Sequence, residues 1–253
     1  MRVLITSRKQ WEDIPEKLKT PELTVITSLP EIAAQCLETG IFCIGLEPEG
    51  SSRFFPHVSC VVDSPDSLDD ETVETMRRRF LGLPVRVGET GRLLLREGLP
   101  GDFEVFSEAC READRTRKTI FLDDSFLRDQ EGWNSYIACA YSLFGTGYYT
   151  AVTSDRETGQ GQVIGFAGFS MPAGKADSCV RILVPAEGQP PEDCWELGYY
   201  VIPAARRQGY AFEMCREVIR LGIRQGAPGI LVRYAADHPA SAALAEKLER
   251  SIR

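Results

Sequence analysis

Arg206-Arg207-Gln208-Gly209-Tyr210-Ala211 stands between a strand-like run, residues 195–202, and an amphipathic helical pattern, residues 211–224. A glycine turn that opens a helix leaves backbone N–H groups unpaired and aimed at one point, with the positive end of the helix dipole behind them. Such a turn is an anion site. Gly209 lets a phosphate reach the backbone with no Cβ in the way, Ala211 keeps the first turn slim, and Arg206 and Arg207 add positive charge. A strand, a polar turn and a surface helix with two solvated arginines would give the same local pattern, because short glycine motifs recur by chance.

The segments around the turn read as a sheet with helices packed on it. Ala211, Cys215, Val218 and Gly222 share one helical face, with Phe212 and Ile219 beside them, and Glu213, Arg216, Glu217 and Arg220 lie opposite. A helix so divided lays one face on a sheet. Downstream, residues 229–234 form a strand pattern, and Leu244, Leu248 and Ile252 mark the apolar stripe of a last helix. Upstream, residues 147–153 and 162–169 are two strand candidates separated by a polar, glycine-bearing hairpin loop, residues 154–161. The loop's glycines do not make a dinucleotide fingerprint, since Ile164 stands where the third glycine would have to be. Residues 172–193, rich in Pro, Gly and charge, read as a flexible connection or a second, loosely built hairpin.

Glu196-Leu197-Gly198-Tyr199-Tyr200-Val201-Ile202-Pro203, followed by Arg206, two residues, Gly209, one residue, Ala211 and a helix, resembles the acetyl-CoA-binding signature of the GNAT N-acetyltransferase superfamily. Arg92-Leu93-Leu94-Leu95-Arg96-Glu97, with Pro100-Gly101-Asp102-Phe103 opening a helix, is similar to the first strand and helix of the ribosomal-protein N-terminal acetyltransferase branch. Asp237-His238-Pro239-Ala240-Ser241, running on to Lys247-Leu248, is similar to that family's last conserved helix, which usually starts with Asn and carries Ser three residues on. The pieces occur in the family's order over roughly residues 85–253. The fold the resemblance implies is α/β, a mixed and mostly antiparallel sheet flanked by helices.

The chain divides near Leu83-Pro84. Over residues 1–83, β-branched runs at 3–6, 24–27, 41–46 and 58–63 alternate with helical segments, the rhythm of a small parallel, Rossmann-like sheet. Ile32, Ala33, Cys36 and Leu37 take helical spacing, and Gly40 is placed to end that helix. The stretch from this helix through Ile41 to Gly45 and on to Val61-Val62-Asp63-Ser64 resembles part of a haloacid-dehalogenase-like domain. The paired aspartates that such phosphatases carry on the first strand are missing, since Val3-Leu4-Ile5 leads into Thr6-Ser7-Arg8. Residues 1–83 are therefore read as a non-catalytic module that offers a docking surface.

Composition narrows the classes of function. At 253 residues, 43% hydrophobic and 26% charged, the chain has the make-up of a folded protein with one large domain or two modest ones. A net charge of -8 argues against nucleic acid as a partner. Arg77-Arg78-Arg79, the compact basic run, reads as the solvated end of a helix. No apolar run is long enough to cross a bilayer, and the first strand is too short for a secretory signal. Eight cysteines without a Cys-x-x-Cys pair read as core residues of a reduced, cytoplasmic protein. His57 and His238 have no second ligand at metal spacing, so no metal is expected. No Gly-x-Ser-x-Gly turn supports a serine hydrolase.

The resemblance implies acetyl-CoA as co-substrate and an amine as acceptor, borne by a small molecule, a peptide or a protein N-terminus. Acetyl transfer to an amine needs the amine neutral, the thioester carbonyl polarised and a proton returned to the thiolate. In this family the strand before the turn splays from its neighbour and binds the pantetheine arm by main chain, which assigns that part to Tyr199, Tyr200 and Val201. Arg206, Arg207, Gln208, Gly209, Tyr210 and Ala211 then hold the pyrophosphate. His238 stands where the family usually has a cofactor-binding Asn, and Arg207 replaces a glycine common in the closest relatives. Glu196 is the candidate base, against the alternative of a solvent-facing carboxylate at a strand end. Ser241 is the candidate proton donor to the thiolate, against the alternative of a helix cap.

After Lys247-Leu248 the family continues into two further strands that complete the acceptor side, and this sequence lacks that hairpin. The far side of the cleft then comes from another segment, from a second copy of the chain in a homodimer, or does not exist. Two functions remain open: an N-acetyltransferase, or an acyl-CoA-binding sensor or scaffold without turnover. A hydrolase centred on the front module is a third, which the missing aspartates disfavour.

Overall fold

The computed structural model describes residues 1–116, 129–153, 161–172, 178–185 and 193–252. The chain forms two compact units, Met1–Val85 and Arg86–Arg253.

The first unit runs β1 (Arg2–Ile5), α1 (Arg8–Glu12), β2 (Thr24–Thr27), α2 (Pro30–Glu38), β3 (Phe42–Leu46), β4 (Val61–Val62) and α3 (Asp70–Phe80). The four strands are parallel and lie in chain order. The inner strands β2 and β3 are buried along their whole length, as parallel strands covered on both faces must be. Alternation sorts their side chains. Val25 and Cys43 join Trp11, Ile32, Ala33 and Cys36 on one side, and Ile26, Phe42, Ile44 and Leu46 meet Val73, Met76 and Phe80 of α3 on the other. Pro30 sits in the first turn of α2, where its missing N–H costs nothing, and Gly40 at φ +71 ends the helix. The fourth strand is shorter than residues 58–63. It pairs only through Gly45↔Val61 and Leu46↔Val62, beyond which β3 gives way to Glu47-Pro48. Arg77, Arg78 and Arg79 lie in the last turn of α3, where the dipole favours cations, and Glu74 pairs with the first two.

The second unit runs β5 (Arg86–Glu89), β6 (Leu93–Glu97), α4 (Phe103–Thr116), α5 (Gln130–Leu143), β7 (Tyr148–Thr153), β8 (Val163–Ser170), β9 (Ser178–Val184), β10 (Trp195–Val201), α6 (Tyr210–Arg224), β11 (Ile230–Ala235) and α7 (Pro239–Ile252). Its sheet has the order β5-β6-β7-β8-β10-β11-β9 and is antiparallel except where β10 meets β11. This is the mixed, mostly antiparallel architecture that the resemblance implies. One face carries Leu93, Leu95, Tyr149, Ala151, Ala167 and Leu197 against Met214, Cys215, Val218 and Ile219 of α6 and Ala245 and Leu248 of α7. The other carries Tyr148, Phe166 and Tyr200 against Phe106 of α4 and Trp133 of α5. Phe106 stacks on Phe166 at 3.9 Å and on Trp133 at 4.0 Å. Each such fully buried large side chain contributes on the order of 1.5–3 kcal/mol.

One buried ion pair ties this face together. The Arg96 guanidinium donates to both oxygens of Asp102, at 2.6 and 2.8 Å, and the same carboxylate accepts from Thr150 Oγ1 and the Leu99 N–H. Arg96 is 5% and Asp102 4% exposed, so each charge depends on the other.

The stretch 172–193 departs from its reading as a flexible connection or a hairpin. It supplies β9, which lies beside β11 at the edge of the sheet, with pairs from Ile230↔Val184 to Ala235↔Ser178. The reason is the occupancy of β10, whose first residues already have β8 on one side and β11 on the other. The open edge is that of β11. Arg181 of β9 pairs with Glu249 and so ties the strand to α7. A segment of the same chain, β9, thus flanks β11. The polar hairpin loop read over residues 154–161 lies outside the described residues except for Gly161.

Candidate active site

The site begins where a ladder stops. β10 and β11 pair in parallel through Trp195↔Ile230, Glu196↔Leu231 and Leu197↔Val232, and then part. On its other side β10 stays paired to β8 as far as Val201↔Gly165. From Gly198 onward β10 therefore has one unoccupied edge, while β11 stays paired to β9 on its far side. A cavity of about 420 Å³ fills the opening.

At the mouth of the cavity the chain makes the turn into α6. Gly209 caps the helix at φ +86 and, having no side chain, makes no cap bond to the first-turn N–H groups. The amides of Tyr210, Ala211 and Phe212 have no carbonyl four residues back inside the helix and remain available to an anion. Arg207 is left-handed too, at φ +63. A side chain there is strained by roughly 1–2 kcal/mol.

Arg206 is exposed to solvent but anchored by its hydrogen bonds. Its Nε donates to Val201 O at 2.9 Å and its Nη2 to Glu112 Oε2 at 2.6 Å, and Tyr200 donates its hydroxyl to the same oxygen. The Arg206 guanidinium, against the opposing effect of burial, holds the Glu112 carboxyl below its usual range. Burial first and Glu112 second push the Tyr200 phenol up to about 12. Arg206 thus braces the turn. A different cation reaches it: Arg92 donates from Nη1 to Gln208 O at 3.1 Å and lies over the Tyr210 ring at 4.3 Å. Glu213 fixes Arg92 through its Nε and N–H, at 2.8 and 3.0 Å. Burial raises the Glu213 carboxyl, and the bonds from Thr90 and Arg92 outweigh it and hold it low.

At the inner end, Glu196 is 2% exposed and accepts from Arg233 Nε at 3.2 Å, across the last paired residues of the two strands. Arg233 also donates from Nη1 to Ser178 Oγ of β9. The solvent-facing alternative for Glu196 does not apply. Ser241 Oγ lies 2.7 Å from the Tyr199 hydroxyl and 2.7 Å from His238 Nδ1. Burial pushes the Tyr199 phenol up to about 12.

Of the residues singled out from the sequence, Tyr199, Tyr200, Val201, Arg206, Arg207, Gly209, Tyr210, Ala211, His238 and Ser241 all line this cavity. Gln208 and Glu196 do not. Gln208 turns its side chain to Ala204 O, and Glu196 stands behind Arg233. Glu112, Arg233 and Tyr234 line the cavity without having been singled out, and Arg92 supports its mouth. Among the described residues no helix is long and apolar enough to cross a membrane, and no group of three or more His, Cys, Asp or Glu could hold a metal ion.

Comparison with known proteins assigns the second unit. Residues 92–249 match the family described as acetyltransferase (GNAT) domain. No curated protein matches the chain. Among solved structures it is similar to RimL, a ribosomal L7/L12 alpha-N-protein acetyltransferase in complex with coenzyme A, at 12% identity over 65% of this chain and 82% of that one, with a TM-score of 0.45. It is similar to the ribosomal-protein-S5-alanine acetyltransferase from Vibrio fischeri at 15% identity, over 65% and 81% of the chains, with a TM-score of 0.45. YncA from Salmonella typhimurium, solved with acetyl-CoA, gives 18% identity over 62% and 79%, with a TM-score of 0.46.

Proposed function

The chain belongs to the acetyltransferase (GNAT) family, and from that premise we propose that it moves an acetyl group from acetyl-CoA to an amine. The observation that carries this reading is the parting of β10 from β11 directly before the glycine turn. The pyrophosphate sits on the amides from Arg207 to Ala211, beside the charge of Arg92 and Arg207. The pantetheine arm runs along the open edge of Gly198–Val201 and brings the thioester toward the inner end of the cavity. Backbone N–H groups there polarise the carbonyl.

The amine attacks, Glu196 takes its proton, and Ser241 returns one to the sulfur. Glu196 lies behind Arg233, so its proton arrives through a water beside that pair. The acceptor is a primary amine of a small molecule, a peptide or a protein N-terminus, and it enters from the side of β9 and β11. A strand of the same chain flanks β11, so the reading needs no second copy to build that side. All eight cysteines are free, which suits a cytoplasmic setting that keeps them as thiols.

The burial of Glu196 favours a second reading, a sensor that binds acyl-CoA without turnover. One experiment separates the two: consumption of acetyl-CoA over a panel of amines and N-terminal peptides, beside calorimetric binding of CoA. Turnover on any acceptor supports transfer, binding without turnover supports the sensor, and absence of binding overturns both.

A further inference from the structure

One face of the second sheet is only partly covered by helices. Tyr148, Phe166 and Tyr200 on that face pack under α4 and α5. Alternate residues of a strand, and opposed residues of a ladder, point the same way. Glu196 therefore shares the face with Tyr200, and the pairs Glu196↔Leu231, Leu231↔Ile182 and Arg233↔Val180 extend it across β11 and β9. There Val180 and Ile182 are each 46% exposed, an apolar strip beside Arg233.

Arg233 stands where the strands part. It follows the last pair of β10 with β11, Leu197↔Val232, and it lines the cavity. Its side chain is 11% exposed, and two of its three nitrogens are occupied. Nε donates to Glu196 Oε2 and Nη1 to Ser178 Oγ, each at 3.2 Å. Nη2 has no protein partner among the described residues. A guanidinium withdrawn from water, with a donor to spare at a cavity wall, suits a carboxylate. The pair sets a positive group at the wall with a negative one behind it, and an α-amino acid carries the same two charges with the signs exchanged.

We propose that the acceptor is a free amino acid with an apolar side chain, its carboxylate on Arg233 Nη2, its amine turned toward Glu196 and its side chain along Val180 and Ile182. The ammonium gives one proton to Glu196 through water, and the neutral nitrogen attacks the thioester carbonyl. The C–N bond forms, the C–S bond breaks with its electron pair on sulfur, and the nitrogen's surplus proton ends on the thiolate. An N-acetyl amino acid and CoA leave. A peptide or protein N-terminus has an amide where the amino acid has its carboxylate, so it forgoes the charge-assisted bond and is the poorer acceptor.

The inference rests on the acetyl-transfer reading, and its test has one arm that does not. In the first arm, kcat/KM is measured for leucine, methionine and phenylalanine against their carboxamides, which imitate a peptide N-terminus. At least one acid should exceed its amide by about 10- to 100-fold, the scale of a hydrogen bond to a charged group. Arg233→Lys keeps a cation for the buried Glu196 and loses the planar fork, so the ratio of acid to amide should fall to about 3-fold or less. Calorimetric CoA binding reports whether that variant is folded, and if it is not, the parent's own ratio decides. Amides equal to or better than the acids, acetylation confined to other amines, or a folded Arg233→Lys protein with the parent's ratio would overturn the proposal.

In the second arm, the N-acetylated acids and amides are titrated into the parent saturated with CoA, with no turnover required. An acid bound about 10-fold more tightly than its amide supports the carboxylate site, and equal affinities or no binding overturn it. A parent that binds CoA and acetylates no amine refutes transfer, and this arm still decides what Arg233 holds.

Discussion

β2 and β3 are parallel neighbours that stay in register from Thr24↔Phe42 to Thr27↔Gly45, the whole length of β2. β10 and β11 are also parallel neighbours, yet they keep company for three pairs and then separate. Buried backbone groups must be paired, so the first arrangement is a closed account of donors and acceptors. The second leaves a strand edge facing a cavity. The two sheets show that a ladder serves as scaffold while it is complete and as a ligand surface where it is abandoned.

The units also differ in what they bury. The polar residues buried in the first are Thr24, Thr27 and Ser28, whereas the second encloses Arg96, Glu97, Asp102, Thr150 and Glu196 among the described residues. Asp102→Ala tests this contrast with the largest expected effect. It strands the Arg96 charge and should lower the unfolding free energy by about 3–5 kcal/mol in urea titrations. A loss below about 1 kcal/mol would mean that water reaches the pair and that the two cores are alike.

Gly209→Val breaks the contrast at the turn. A β-branched residue at φ +86 costs roughly 1–3 kcal/mol, and its side chain occupies the approach of the phosphate, so CoA affinity should fall by about 100-fold or more in calorimetry. Binding equal to the parent would place the cofactor elsewhere.

Glu196→Gln sharpens it at the inner end. CoA affinity should stay near the parent value while turnover falls on the order of 100-fold at neutral pH, and the deficit should shrink at high pH, where the acceptor amine loses its proton unaided. Equal turnover would leave proximity and carbonyl polarisation as the mechanism.

Glu112→Gln loosens the brace on Arg206 and should weaken CoA binding by about 3- to 10-fold, the scale of one charge-assisted hydrogen bond. The Glu112 carboxyl is depressed in the folded protein, so its hold on Arg206 is present above the ordinary glutamate value and is lost as pH falls through the folded one. The parent should approach the variant's affinity in acid, and the variant should not change further.

The smallest effect belongs to Arg207→Gly. Relief of roughly 1–2 kcal/mol of left-handed strain, less roughly 0.5–1 kcal/mol of glycine entropy, should stabilise the fold by about 0.5 kcal/mol. Loss of the cation should cost a few-fold in CoA affinity. A variant that binds better than the parent would show that Arg207 only obstructs.

What the sequence made legible is what short spacing encodes. The turn from Arg206 to Ala211, the helical face of Cys215 and Val218, and the end of α2 at Gly40 all depend on residues within a few positions of one another. Strand β9 was hidden because Cys179 and Leu183 on one face and Val180, Ile182 and Val184 on the other blur the alternation, while its flanks are rich in Pro, Gly and charge. The supports of the site were hidden for another reason. Arg92 meets Gln208, Glu112 meets Arg206, Glu196 meets Arg233 and Tyr199 meets Ser241 across long stretches of chain, and no periodicity records such partners.

The placement of β9 has a consequence during synthesis. The ribosome releases Ser178–Val184 before either β11, which must pair with it, or Glu249 of α7, which must clamp it. Until those segments emerge, the growing chain carries an unpartnered hydrophobic strand, and Val180 and Ile182 stay 46% exposed even in the finished fold. Release of nascent chains stalled before and after α7 has left the exit tunnel should therefore show less aggregation for the longer chain, and equal aggregation would mean that β9 is not the exposed hazard.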